Sequence, residues 1–299
     1  MADAPADRVA GDPLLRLEDS GWTAALLPGQ GGAMASLAFQ GRDVLVPLPL
    51  GADPNTSFCG AFIMAPWANR LADGRLPVAG TEYRLPINHP WDDTAIHGLS
   101  REHPWRVEAA SPGHVVLVQE IDAESLGLGL PWRYAAHFEL TLRESGAEIA
   151  LRLTNAADLP FPFGLGWHPF LARPPGTRLR FHASTLLSRD GRGLPVAVQP
   201  STGLNGPEAA YDGLDTHFAG WDGVVEIARP DLRLRLAAEG AWARNLQIFA
   251  PAGGTVLCVE PVSHVPDAPN RPEFTAYGPL VMLPPGAVLW ARLALAAEI

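Results

Sequence analysis

The chain has few cysteines, few charged residues and no long apolar run. Its two cysteines, Cys59 and Cys258, are too few for a disulfide scaffold and lack the C-x-x-C spacing of redox and zinc motifs. We therefore expect free thiols in a reducing compartment. No apolar run approaches the roughly 18 residues that span a bilayer, and the acidic segment at residues 1–7 lacks the pattern of a secretory signal. We expect a cytoplasmic protein.

Lysine is absent as well. All 22 basic residues are arginine, and 32 acidic residues bring the net charge to −10. A negative surface disfavours nucleic acids and anionic membranes, because both bind through basic patches, so we expect neither as a partner. Charged residues make up only 18% of the 299 residues and apolar residues 47%. This balance favours a compact body with a large buried core.

Apolar and polar residues alternate along several segments. The alternation runs through residues 132–143, 148–153, 232–236 and 287–295, and a period of two is typical of strands with one buried face. The turn at residues 144–147 predicts that the first two segments form a hairpin. With 30 glycines and 30 prolines marking frequent turns, we predict an all-β fold, a sandwich or barrel of antiparallel sheets.

The chain shows no internal repeat and no low-complexity linker. Residues 1–12 are predicted to be a disordered lead-in, and residues 13–299 a single β-sandwich domain. This length is large for one sandwich, which indicates two extended sheets with long loops that form a site. The oligomeric state, monomer or homodimer, is left open.

Four ionisable residues lie in separate turn-like or glycine-flanked segments: His97, His168, Asp215 and Glu260. An imidazole and a carboxylate brought together by folding can move two protons near neutral pH, since one donates while the other accepts. This chemistry suits the opening and closing of a sugar ring. We therefore expect a small-molecule sugar as the binding partner.

His168 and Glu260 have the most informative surroundings. His168 lies between Trp167 and Pro169, and a proline restricts the residue before it to extended conformations. Burial in such a frame lowers an imidazole pKa, whereas a nearby carboxylate raises it. Glu260 ends an almost wholly apolar segment, where an ionised carboxylate is costly unless it is paired or functional. Alternation places Cys258 on the same face, and we expect its thiol to pack rather than react.

Residues 65–71 carry a tryptophan and an arginine close together. Trp67 can cover the apolar face of a pyranose, and Arg70 can present a planar fork of donors to sugar hydroxyls or to a ring oxygen. The alternative is that Trp67 fills the core and Arg70 pairs with an acid at the surface.

Other kinds of site have little support. His168, Glu260 and His264 could in principle hold a metal, but the sequence has no H-E-x-x-H motif or Cys/His cluster, and we expect no metal site. The absence of a G-x-G-x-x-G unit, a P-loop and a G-x-S-x-G elbow argues against a nucleotide site or a serine nucleophile.

Taken in order, these segments resemble the aldose 1-epimerase, or mutarotase, family. The resemblance spans about two-thirds of the chain and is carried by five motifs: Asn69-Arg70, His97-Gly98, His168-Pro169, Leu214-Asp215 and Cys258-Val259-Glu260-Pro261. Each motif is weak alone, but five in family order at family-like spacings are fairly specific.

The resemblance implies a large antiparallel β-supersandwich of galactose mutarotase type, with no metal or organic cofactor. It also implies that Glu260 is the general base and His168 the general acid. The substrate-binding set that we predict consists of Arg70, His97, Asp215, Asn69 and Trp67.

The sequence departs from the galactose-type pattern after His97, where a single glycine is followed by Leu99 and then by Arg101. With Arg101, the segment resembles the hexose-6-phosphate branch of the family, whose arginines bind phosphate. The motifs at His168 and Glu260 fit the free-sugar branch better. The predicted function is interconversion of the α and β anomers of a free aldose. The alternatives are a hexose-6-phosphate mutarotase and a non-catalytic carbohydrate-binding module on the same fold.

Overall fold

Antiparallel strands make up most of the protein. The computed structural model describes residues 14–299, so the lead-in predicted at residues 1–12 lies outside the described residues. Helix in the described range is confined to four short 3-10 segments: Ser100–Glu102, Glu208–Ala210, Ala268–Asn270 and Pro272–Tyr277. None of these helices is long and apolar enough to cross a membrane.

The strands are numbered in chain order. They are β1 (Leu15–Asp19), β2 (Trp22–Leu27), β3 (Ala33–Phe39), β4 (Arg42–Asp43), β5 (Ala61–Met64), β6 (Arg70–Ala72), β7 (Arg75–Val78), β8 (Thr81–Arg84), β9 (Thr94–Ile96), β10 (Arg106–Ser111), β11 (His114–Asp122), β12 (Arg133–Arg143), β13 (Gly146–Asn155), β14 (Phe161–Phe163), β15 (Gly166–Pro169), β16 (Leu171–Ala172), β17 (Arg178–Arg189), β18 (Pro195–Pro200), β19 (Leu204–Pro207), β20 (Asp215–Ala228), β21 (Arg233–Gly240), β22 (Asn245–Phe249), β23 (Val256–Val262), β24 (Val281–Leu283) and β25 (Val288–Glu298).

One sheet includes 19 of these strands. A path of antiparallel neighbours runs β10–β11–β12–β13–β25–β21–β20–β22–β23–β15–β5–β3–β2–β1. Strand β17 joins this path at β20 and carries β18 and β19. The N–H of Glu18 in β1 donates to the carbonyl of Pro112, beside β10, at 2.7 Å. This contact brings the two ends of the path together.

The alternating segments form the strands that they predict. Strands β12 and β13 pair from Tyr134↔Asn155 to Arg143↔Gly146 as a hairpin, and the inward positions of β12 are buried in regular alternation. The other two alternating segments correspond to β21 and β25, which are antiparallel neighbours. The all-β antiparallel prediction is therefore confirmed.

Large aromatic side chains fill the core. The largest fully buried side chains include six tryptophans: Trp22, Trp67, Trp132, Trp167, Trp221 and Trp242. Each aromatic side chain of this size buries about 150–250 Å², and all six belong to one apolar cluster. The short strands β5, β15 and β23, which carry or neighbour the predicted site residues, contribute side chains to this cluster.

Candidate active site

A cavity of about 630 Å³ opens where the ends of several strands and two long loops meet. Six of the seven predicted site residues line it: Asn69, Arg70, His97, His168, Asp215 and Glu260. Its volume falls within the range of about 300–1,000 Å³ that is typical of small-molecule sites.

His168 and Glu260 lie close together because two strands that are distant in sequence pair with each other. Strands β15 and β23 pair at Gly166↔Val262, and β16 keeps the same register further along β23. Two residues beyond that pair, His168 stands opposite Glu260, so both side chains lie on the same face of the sheet. The Nε2 atom of His168 is 3.3 Å from Oε1 of Glu260.

Both side chains are withdrawn from solvent. Their side-chain exposure is 9% for His168 and 2% for Glu260. The imidazole stacks on Phe62, with ring centroids 4.6 Å apart, and contacts Phe170 at 4.7 Å. Among the described residues, Nδ1 of His168 and Oε2 of Glu260 have no hydrogen-bond partner. Because buried polar atoms usually have partners, these two atoms favour a polar ligand in the cavity.

Burial moves both pKa values toward the uncharged forms. Loss of hydration raises the pKa of Glu260 well above its ordinary value; the nearby carboxylate of Asp215 adds to this effect, and Arg70 opposes it. Burial likewise lowers the pKa of His168 to about 3, with the positive charge of Arg101 as the second cause. The two side chains share one transferable proton. Because both are buried, the state with a protonated Glu260 and a neutral His168 is favoured over the ion pair.

His97 is fixed by reciprocal contacts with Asn69. Both residues have a left-handed backbone conformation, with φ +67° for His97 and +56° for Asn69. The N–H of His97 donates to the carbonyl of Asn69 at 3.1 Å, and the N–H of Asn69 donates to Nδ1 of His97 at 3.2 Å. Because Nδ1 accepts, the neutral ring carries its proton on Nε2. Burial, followed by repulsion from His168, lowers the pKa of His97 well below its ordinary value, so this ring is a neutral donor.

Arg70 and Asp215 are held in place by several partners. The Nε of Arg70 donates to Asp92 at 2.8 Å, and its Nη2 lies 3.8 Å from Asp215. Asp215 accepts a hydrogen bond of 2.6 Å from the side-chain amide of Gln247 and pairs with Arg189 at 3.1 Å. Both groups therefore face the cavity in a fixed geometry, which lowers the entropic cost of binding a ligand.

Trp67 does not line the cavity, and its predicted role in substrate binding is wrong. The side chain is 2% exposed and stacks on Trp132 with ring centroids 5.3 Å apart. The turn that follows β5 directs the indole into the core, where stacking against a second indole stabilises it. A different tryptophan, Trp91, lines the cavity and is 83% exposed.

Some residues of the cavity wall have no clear signal in the sequence. Gln247 stands directly opposite Glu260 in the β22–β23 ladder, a relationship that depends on strand register. Phe62 reaches the site for the same reason, since it pairs with His168 across β5 and β15. His89, which no sequence pattern indicated as a site residue, also lines the cavity.

His264 does not join the site. Its Nε2 accepts the N–H of Ala68 at 3.0 Å, and its Nδ1 donates to the carbonyl of Val265 at 2.8 Å. Both ring nitrogens are therefore engaged with backbone, which removes His264 from the metal alternative considered above.

Arg101 brings a positive charge to the cavity wall. Its Cζ lies 4.3 Å from the centroid of the Phe62 ring. Its Nε donates to the side-chain oxygen of Asn55 at 2.9 Å, and its Nη2 donates to the backbone carbonyl of Asn55 at 2.8 Å. Within residues 14–299 no carboxylate forms a salt bridge with it. Burial lowers the pKa of Arg101 from its ordinary value.

These features define a class of protein: an antiparallel β-supersandwich with a polar cavity and a buried imidazole–carboxylate pair in its wall. The family model described as aldose 1-epimerase matches residues 13–296. The chain belongs to the aldose 1-epimerase family.

Known proteins and structures resemble the chain over most of its length. The uncharacterized protein YphB of Escherichia coli (strain K12) is 28% identical over 250 residues, which cover 79% of this chain and 83% of that protein. A galactose mutarotase-like protein from Clostridium acetobutylicum superposes with a TM-score of 0.84 at 18% identity, covering 95% of this chain and 94% of the other. Galactose 1-epimerase from Lactobacillus acidophilus NCFM superposes with a TM-score of 0.76 at 16% identity, covering 99% and 97%. These likenesses confirm the predicted fold of galactose mutarotase type.

Proposed function

We propose that the protein is a mutarotase, an isomerase that interconverts the α and β anomers of a free aldose. The observation that carries the proposal is the 3.3 Å approach of Nε2 of His168 to Oε1 of Glu260 in the wall of a cavity large enough for a sugar. Family membership supports the same reaction.

In the forward direction Glu260 accepts the proton of the anomeric hydroxyl while His168 donates a proton to the ring oxygen. The bond between C1 and the ring oxygen breaks, and its electrons stay on that oxygen as it gains the proton. C1 becomes an aldehyde carbon, Glu260 is left protonated and His168 neutral. Rotation about the C1–C2 bond then presents the other face of the carbonyl, and the reverse proton transfers close the ring to the other anomer.

The pKa directions suit these roles. A carboxylate whose pKa is raised by burial is a stronger base once ionised, and an imidazolium whose pKa is lowered is a stronger acid once protonated. In the buried pair, the state with an ionised Glu260 and a protonated His168 is less populated than the uncharged state. Arg70 opposes the shift at Glu260 and so favours the ionised carboxylate.

The remaining residues orient the sugar. Arg70 and His97 supply N–H donors to hydroxyls or to the ring oxygen, and Asp215 supplies an acceptor that is already fixed by Gln247. Asn69 acts through His97, because its backbone sets the position and the tautomer of the imidazole.

A second candidate is a hexose-6-phosphate mutarotase. Arg101 is the observation that favours it, since a positive charge in the cavity wall without a carboxylate partner among the described residues would attract an anionic substituent. The motifs at His168 and Glu260 support the free sugar, which we retain as the substrate class.

A mutarotation assay tests the proposal. Freshly dissolved α-glucose, α-galactose and glucose 6-phosphate are followed by polarimetry or NMR with the wild-type protein and with a Glu260→Gln control. We expect the wild type to accelerate equilibration of a free aldose and the control to do so weakly. Sugar binding without acceleration identifies a binding module instead, and acceleration confined to the phosphorylated sugar identifies the second candidate.

A further inference from the structure

Cys258 adds a third potential metal ligand to the His168–Glu260 pair. One ligand atom from each of the three residues lies within 4.8 Å of the other two, and all three residues are buried. Alternation along β23 places the thiol and the carboxylate on one face of the strand. Cys258 belongs to the same buried apolar cluster as Phe62 and Phe170, and both of these side chains line the cavity.

The donor set and its spacing suit a thiophilic divalent cation. Zinc binds a thiolate at about 2.3 Å and an imidazole nitrogen or a carboxylate oxygen at about 2.0–2.2 Å, so tetrahedral donors lie roughly 3–4 Å apart. His168 and Glu260 already meet this spacing at 3.3 Å, and Cys258 needs to approach by about 1 Å or less. A side-chain rotation supplies a movement of that size.

The same two side chains also carry polar atoms without partners. Oε2 of Glu260 and Nδ1 of His168 are buried without hydrogen-bond partners among the described residues. A cation would bind the facing atoms Oε1 and Nε2 instead, and its charge would offset the cost of burying the carboxylate.

We propose that His168, Cys258 and Glu260 form an inhibitory site for a thiophilic divalent cation of the Zn²⁺ type. Binding displaces the protons of the thiol and of the carboxylic acid, and the ion occupies the groups that the ring-opening reaction needs. Metal binding itself is independent of the proposed function, whereas the inhibition rests on it.

Optical titration tests the binding step without any assay of activity. Cd²⁺, a spectroscopic substitute for Zn²⁺, is added to the metal-free protein, and the ultraviolet charge-transfer band of a Cd²⁺–thiolate bond is recorded. Cys258→Ser removes the thiolate and keeps nearly the same volume. Cys59→Ser is the matched control, because Cys59 is the other free cysteine and is partly exposed.

We expect one equivalent of Cd²⁺ to produce the band in the wild type and in Cys59→Ser, and excess Zn²⁺ to remove it. In Cys258→Ser the band should be absent, with apparent affinity weaker by on the order of 10–100-fold or more. Cys258→Ala, with an unchanged far-ultraviolet spectrum, serves as the second variant. A band that persists in both Cys258 variants and disappears in Cys59→Ser overturns the proposal.

Mutarotation with added Zn²⁺ then tests the inhibition. The wild type should lose activity and regain it with a chelator, while Cys258→Ser should keep its basal rate and resist the ion. Equal inhibition of both proteins overturns the site. If the wild type has no mutarotase activity, the proposed function fails while the optical titration still decides whether the metal binds.

Discussion

His168 and Glu260 lie opposite each other on antiparallel strands, with Nε2 and Oε1 3.3 Å apart, although almost a third of the chain separates them in sequence. The register of β15 on β23 produces this contact. Backbone pairing and a cluster of apolar side chains hold these strands together. Changes at either residue should therefore affect the reaction far more than the fold.

Replacing Glu260 by Gln or His168 by Gln should lower kcat for mutarotation by about 10²–10⁴-fold each, because each variant removes one proton-transfer group. The double variant should lose less than the product of the two losses, since the pair acts as a unit. Polarimetry gives the rates, and thermal unfolding checks the fold. Near-normal rates in both single variants would falsify the assignment of the pair.

Gln247 fixes Asp215 through a hydrogen bond of 2.6 Å. Gln247→Leu should raise KM for the sugar several-fold with a smaller effect on kcat, because Asp215 loses one hydrogen bond but keeps its contact with Arg189. Gln199→Leu, at an exposed position of β18, is the matched control. An unchanged KM in Gln247→Leu would show that Asp215 is positioned without it.

Trp67 and Trp91 should respond in opposite ways to substitution. Trp67→Phe leaves a gap against Trp132 in the core and should lower the free energy of unfolding by about 1–3 kcal/mol without changing KM. Trp91 is 83% exposed at the cavity wall, so Trp91→Ala should leave stability within about 0.5 kcal/mol. Denaturant unfolding and sugar kinetics on the two variants distinguish a core residue from a cavity residue. A raised KM with unchanged stability in Trp67→Phe would contradict the assignment of Trp67 to the core.

Gly98 allows the chain to turn beside His97. A Cβ at this position would lie 2.1 Å from the carbonyl oxygen of Ala65, and φ is +76°. Gly98→Ala should lower both stability and activity, because the backbone must shift and carry the imidazole with it. Gly80→Ala is the control, since Gly80 has φ +84° with no atom within 4 Å of the added carbon. Equal destabilisation of the two variants would mean that backbone strain alone, about 1 kcal/mol, explains the effect.

Two histidines buried away from the cavity should make the fold sensitive to acid. His217 and His264 are 3% and 0% exposed, and burial lowers the pKa of each to about 4. The unfolded chain has an imidazole pKa near 6.5, so it binds more protons than the native protein between about pH 6.5 and pH 4. Their contribution to stability is therefore complete above about pH 6.5 and is lost toward about pH 4, at on the order of 1 kcal/mol per pH unit for each ring.

Denaturant unfolding between about pH 7 and pH 5 measures this dependence. His217→Gln should flatten the slope of unfolding free energy against pH, and His182→Gln, at an exposed position of β17, should not. Identical slopes in the two variants would show that the acid sensitivity arises elsewhere.

The period of two at residues 132–153 was enough to predict the β12–β13 hairpin, because alternation and turn residues act between neighbours in sequence. The family motifs likewise indicated six residues that line the cavity. Trp67 was misplaced, since a turn motif does not reveal which side of the turn faces the core. Gln247, Phe62 and His89 reach the cavity through strand pairing or loop packing, which leaves no signature in a single sequence.

The sequence by itself determined the strand content, the antiparallel class and the residue types available for acid–base chemistry, because these depend on local pattern and composition. Only the tertiary structure decided that His168 stands opposite Glu260, with the thiol of Cys258 within 4.8 Å of the pair. The physical reason is register: a shift of one residue between β15 and β23 would turn one of the two side chains to the other face of the sheet. That register is set by packing of the whole core, where residues from distant parts of the chain contribute together.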